Sequence, residues 1–203
     1  MLEDIMYTFE NNIVRINNLL SIYKSISVGK GRKSINSLDI LRATTVLVHS
    51  TLEDYLRNIL IWKLPFQEKE KLNQISLVGT SDKGRITKFT LGDLVLHKDK
   101  SVNEIINSSV LEYLSFQSFN NSNDVANAIS SISLNNTSEI KLLFSTLDIM
   151  IKRRHNIVHN ADREIILNGS GNHRITSISL LNVEKWKKTV DKLVKEINKN
   201  FIH

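Results

Sequence analysis

The residues best equipped for chemistry crowd into one run, Arg153-Arg154-His155-Asn156-Ile157-Val158-His159. Histidine titrates near neutral pH and can give or take a proton. Arginine stays cationic and forks onto carboxylate or phosphate oxygens. Together they suit proton transfer beside an anion. A second group lies upstream, where His49 and Glu53 stand four residues apart and stack on one side of a helix. His155 and His159 share that spacing, so a metal hydrolase site completed by Glu53 or Asp162 is one reading. A His-Glu-x-x-His pattern would need glutamate at 156, and the chain has Asn156 there. His97, His173 and His203 stand alone and read as surface histidines.

Helices must position these groups. Only seven glycines and one proline, Pro65, interrupt long stretches of 3.6-residue periodicity. Residues 2–27 carry Leu2, Ile5, Phe9, Ile13, Ile16, Leu20 and Tyr23 at helical spacing. A second helix spans 37–63, with Ser37 as its N-cap and Pro65 as its stop. Short helices and loops fill 66–100, and two further helices cover 101–116 and 123–132. The fourth long helix covers 138–158, and the last runs from about Asn182 to residue 200. Between them, alternating β-branched residues on either side of Asn168-Gly169-Ser170-Gly171-Asn172 suggest a small hairpin near 164–179. The fold class is all-α, one helical bundle over residues 1–203 with short additional helices.

Each residue advances about 100° around a helix. On that wheel Arg154 falls inside the apolar stripe of its own helix, and His155 lies at the stripe's edge. An arginine facing a core is costly unless an anion or a water pocket receives it. His49 and Glu53 border the apolar face of the second helix. The two helices are therefore expected to face each other, with Glu53 near Arg154 and His49 nearby. The plain structural reading is a buried Arg154–Glu53 ion pair that orients two helices.

Composition narrows the setting. Hydrophobic residues make up 41% and charged residues 24%, as in ordinary globular proteins. There is no cysteine, which excludes disulfides, thiolate metal sites and a cysteine nucleophile. The acidic start Met1-Leu2-Glu3-Asp4 is unlike a signal peptide, and no apolar run reaches the roughly 18 residues a membrane span needs. A cytoplasmic protein without membrane contact is expected. The net charge is +6 and the pI about 9.5, which favours anionic partners such as nucleic acid, or marks only a lysine-rich surface. A helical DNA-binding regulator fits the charge, yet no helix-turn-helix with a basic recognition helix stands out.

At this point the residues resemble a family. Arg154-His155-Asn156-Ile157-Val158-His159 matches the Arg-x4-6-His signature of HEPN domains, as does the pair Arg153 and His159. The extension Ile157-Val158-His159-Asn160-Ala161-Asp162 looks like the RiboL-PSP-HEPN subgroup. So does Leu38–Arg57, with Arg42-Ala43 followed by Leu52-Glu53-Asp54-Tyr55-Leu56, and so does the polar turn before a short helix in 118–132. The resemblance covers about residues 37–200 and implies an antiparallel helical bundle that dimerises.

Many members of this family are metal-independent ribonucleases of toxin–antitoxin, abortive-infection or RNA-processing systems, and others are inactive binding modules. The resemblance implies no cofactor and no metal. In the active members arginine and histidine from two protomers meet in one cleft. RNA carries its own nucleophile, the 2′-hydroxyl. On this reading His159 transfers protons, Arg154 stabilises the phosphorane charge, Asn156 binds phosphate or fixes the helix end, and Glu53 orients Arg154. Lys152, Arg153, His155 and Arg163 would hold RNA, the cations by attracting backbone phosphates. DNA lacks the 2′-hydroxyl and should not be cut. An antitoxin or defence-system partner protein is also implied. The alternative is a catalytically silent HEPN module that dimerises and binds RNA or a protein.

Overall fold

The computed structural model describes residues 1–27, 34–80, 89–163 and 174–201. Among the described residues there are seven α-helices: α1 (Leu2–Ile26), α2 (Ile35–Lys63), α3 (Lys69–Leu72), α4 (Val102–Ser115), α5 (Ser122–Ser131), α6 (Ser138–Asn160) and α7 (Leu180–Asn198). Among the described residues there is no strand. One isolated antiparallel bridge joins Arg163 to Ile175, at the base of the expected hairpin. The rest of that hairpin, 164–173, lies outside the described residues.

The helical bundle follows from the apolar stripes. Along α1, Ile5, Phe9, Ile16, Leu20 and Tyr23 are buried. They pack on α2, which contributes Leu41, Val48, Leu52, Tyr55, Leu56 and Ile59. The ring of Phe9 meets Tyr55 edge-on at 5.8 Å. The Tyr55 hydroxyl donates to Asn198 Oδ1 at 2.8 Å and so joins α2 to the end of α7. Helices α6 and α7 complete the core, α7 burying Val183, Trp186, Val190, Leu193, Val194 and Ile197. These side chains recur at helical spacing, so one face of each helix meets the common core while the other faces water.

Helix ends differ in detail from the sequence expectation. Ser34, not Ser37, caps α2; its Oγ accepts the Ser37 N–H at 3.2 Å, and Ser37 is buried in the first turn. Helix α7 starts at Leu180 rather than Asn182, and Ser179 caps it by accepting the Asn182 N–H at 3.2 Å. Pro65 does end α2, in a 3₁₀ turn over Leu64–Phe66. His97 is a clearer correction. It closes a 3₁₀ segment, Leu91–His97, and is only 6% exposed, with neither ring nitrogen hydrogen-bonded among the described residues. The imidazole is packed there as an apolar body rather than presented to water. His173 and His203 lie outside the described residues. Among the described residues, no helix is long and apolar enough to cross a membrane.

Candidate functional site

The run Arg153–His159 forms the last two turns of α6. A helix end leaves carbonyls unpaired, and this one closes through two consecutive left-handed residues, Ala161 at φ 49° and Asp162 at φ 59°. Alanine rarely adopts that conformation, so something must hold the turn. The holder is Asp162 itself. Its N–H donates to Asn156 O at 3.1 Å and its carbonyl accepts Thr176 N–H at 2.8 Å.

The Asp162 carboxylate is completely buried. Its Oδ2 accepts Arg42 Nε at 2.6 Å and Arg153 Nη2 at 2.7 Å. Its Oδ1 accepts Asn156 Nδ2 at 3.3 Å. The guanidinium groups then reach backward: Arg42 Nη2 donates to Thr176 O at 2.9 Å, and Arg153 Nη2 to Thr176 O at 3.0 Å and Ser177 O at 2.9 Å. One buried carboxylate thereby ties α2, the end of α6 and the segment entering α7. Sequence reasoning places Arg153 on the RNA backbone; it is spent on this clamp. Sequence reasoning also misses Arg42 as a clamp residue, although a signal exists. It falls in line with Leu38, His49 and Leu56 on the α2 wheel, where a cation must have a buried anion.

The adjacent arginine has a different environment. Arg154 is half-buried, and its Nε, like that of Arg153, is shielded from water with no hydrogen-bond partner among the described residues. Helices α2 and α6 do pack together, and the Arg154 charge reaches His49. The expected Arg154–Glu53 ion pair is not formed. Glu53 stands 3.5 Å from His49 Nδ1 instead, an electrostatic contact too long to be a hydrogen bond. The i, i+4 spacing that stacks Glu53 on His49 turns the carboxylate along its own helix rather than across to α6. Among the described residues, no carboxylate lies within ion-pair distance of Arg154.

His49 is fully buried, and its Nε2 lies 3.1 Å from the Phe119 carbonyl. Burial pushes its pKa below the ordinary 6.5 and Arg154 adds to this, while Glu53 and the carbonyl pull the other way. The unfolded chain therefore binds a proton on His49 more readily than the folded one. The linked stability is complete above about pH 6.5 and declines as pH falls from there towards the folded-state value. Urea midpoints measured between pH 7.5 and pH 5 should drop for the wild type and drop less for His49→Gln. Parallel curves for the two proteins would contradict this.

The other face of the helix end is open. His155 and His159 are exposed, and their ring centroids lie 4.3 Å apart. Lys152 and Arg163 are exposed as well, and Asn156 is half-buried, held by Asp162 and by Asn160 at 3.0 Å. Lys152, His155 and Asn156 line an open groove of 560 Å³ whose far wall is Ser177, Ile178 and Trp186. Arg154 and His159 do not line it. Five residues apart, they leave the helix about 140° from each other, so one chain does not aim both at one point. Asp162 cannot join His155 and His159 around a metal, because two arginines occupy it. Among the described residues no three histidine or acidic side chains are grouped to hold a metal ion.

The family model for RiboL-PSP-HEPN matches residues 10–203. The chain belongs to the RiboL-PSP-HEPN family. The match spans α1 to α7, and so includes the Arg42–Asp162–Arg153 clamp, the two histidines and the groove. Neither a curated protein nor a solved structure matches this HEPN chain.

Proposed function

We propose that this HEPN protein is a metal-independent endoribonuclease of the toxin or antiviral-defence type, acting at a site shared by two protomers. One observation carries the reading: of two adjacent arginines, Arg153 is consumed by Asp162, while Arg154 is half-buried beside no anion among the described residues. A guanidinium in that position is prepared for an anion that arrives, and a phosphate provides one.

The chemistry needs only groups on the chain. A base removes the proton of the RNA 2′-hydroxyl, and the oxygen attacks the adjacent phosphorus. The bond from phosphorus to the 5′-oxygen breaks, and an acid protonates that oxygen. The products are a 2′,3′-cyclic phosphate and a 5′-hydroxyl. His159, with His155 beside it, serves the proton steps, and Arg154 neutralises the phosphorane. Asn156 fixes the helix end that bears them, and Glu53 sets the charge around His49 and Arg154. Lys152, His155 and Arg163 meet the RNA. The divergence of Arg154 from His159 supports a composite site, in which a second copy brings its histidine to this arginine.

The outer face of α6 suits a two-fold contact, since Leu142 is 78% exposed there. Wild type should sediment as a dimer and cut RNA in chelator. A Leu142→Glu variant should be a folded monomer with at least about 100-fold less cleavage. A monomeric wild type that cuts RNA, or a monomeric variant that cuts as well as its parent, would contradict the shared site. The same divergence favours a second reading, a dimerising HEPN module that binds RNA without cutting it, and a dimer inert towards RNA would establish that one.

A further inference from the structure

Helix α7 sorts its residues by face. From residue 185 to 199 the exposed positions are Lys185, Lys188, Lys192, Lys195 and Lys199, and every one is a lysine. Their spacing alternates three and four residues, so they form a single row on one side of the helix. At 1.5 Å per residue the row is about 21 Å long.

An ordinary solvated face mixes signs, because opposite charges three or four residues apart support the helix and like charges repel. Here the compensation is lopsided. Lys195 pairs with Asp191 at 2.9 Å and Lys199 with Glu196 at 2.7 Å. Glu184, the remaining acid of the helix, is turned to Lys24 of α1 at 2.8 Å. Lys185, Lys188 and Lys192 have no ion pair among the described residues. The unbalanced charge thus runs from residue 185 to residue 192 of α7. It begins beside the groove, since Asn182 and Trp186 line the groove together with Lys152, His155 and Asn156.

We infer that the row Lys185–Lys188–Lys192 is a docking track for the backbone of single-stranded RNA, which enters or leaves the groove at the end of α6 along α7. The inference rests on the RNA reading above and gives it a preference for length. A narrow line of flexible ammonium groups suits successive phosphates and carries no means of reading bases. Repulsion along the free row weakens the helix until an anion of the same pitch lies on it. A single line of cations matches one backbone rather than the two of a duplex.

The test uses the full-length protein and uncleavable 2′-O-methyl oligouridylates of 4 and 20 nucleotides. Wild type should bind the 20-mer at least about tenfold more tightly than the 4-mer. In Lys185→Gln/Lys188→Gln/Lys192→Gln that advantage should fall below about twofold. The slope of log Kd against log salt for the 20-mer should shrink by about 2, near 0.7 for each phosphate no longer neutralised. Cleavage of an all-ribose tetranucleotide should be unchanged, because the three lysines lie outside the reacting groups. A variant that keeps the full length advantage and salt slope overturns the inference. So does an acidic peptide of equal charge that displaces the 20-mer as well as unlabelled RNA does, which would assign the row to an acidic protein. Should no RNA be cut at all, the nuclease reading fails by itself, and the oligonucleotide affinities still decide the track.

Discussion

Asp162→Ala is expected to lose about 3–5 kcal/mol of folding stability, the usual result of removing one member of a buried ion pair. The carboxylate is fully buried and answers both Arg42 and Arg153. Without it two guanidinium groups face each other with little water between them. The left-handed residues at 161 and 162 keep their backbone hydrogen bonds but lose the carboxylate that ties them to Arg42, Arg153 and Asn156. A domain is stable by roughly 5–15 kcal/mol in total. The variant should therefore unfold at markedly lower urea, and Arg42→Ala should come close to it. A loss below about 1 kcal/mol for Asp162→Ala would show that the clamp contributes little.

Arg153 and Arg154 should give opposite results although they are neighbours. Arg153→Ala breaks the clamp and should destabilise the protein. Arg154→Ala removes a cation that has no carboxylate partner among the described residues, so it should melt within a few degrees of wild type. Its cleavage of RNA should nevertheless fall about 10²–10³-fold, as when one stabilising donor to a transition-state charge is removed. His159→Ala should cost about 10²–10⁴-fold, the range for a missing acid or base, again without loss of stability, because the ring is exposed. Thermal melts and initial rates on the same preparations separate the two classes. An Arg154→Ala protein that cuts RNA at the wild-type rate would remove this arginine from the mechanism.

Most of the architecture is legible in the sequence, because apolar periodicity is a local property. Residues such as Phe9, Leu52 and Val190 lay out the stripes of α1, α2 and α7, and all of these are buried. The packing of α2 on α6 is also legible, since half-buried charges on both helices require each other's company. The partner assignments are not. Proximity of helices matches Glu53 to Arg154, but the nearest titratable neighbour of Glu53 is His49, one turn away on the same helix. Arg153 reads as a free surface cation because its carboxylate, Asp162, arrives only after the chain reverses at Ala161. That reversal depends on two non-glycine residues at positive φ, which no turn pattern announces. His97 misleads for a related reason: a lone histidine in an irregular stretch has no periodicity to report its burial.

The reaction we propose is cleavage of RNA through the 2′-hydroxyl, with Arg154 and His159 and without metal. The most direct test is a 12-nucleotide RNA in which each 2′-hydroxyl in turn is replaced by hydrogen, incubated with purified protein in excess EDTA. Cleavage should proceed in the chelator, leave 2′,3′-cyclic phosphate ends, and stop only at the substituted linkage. Cleavage that continues at the 2′-deoxy linkage, or that needs added magnesium, would contradict it.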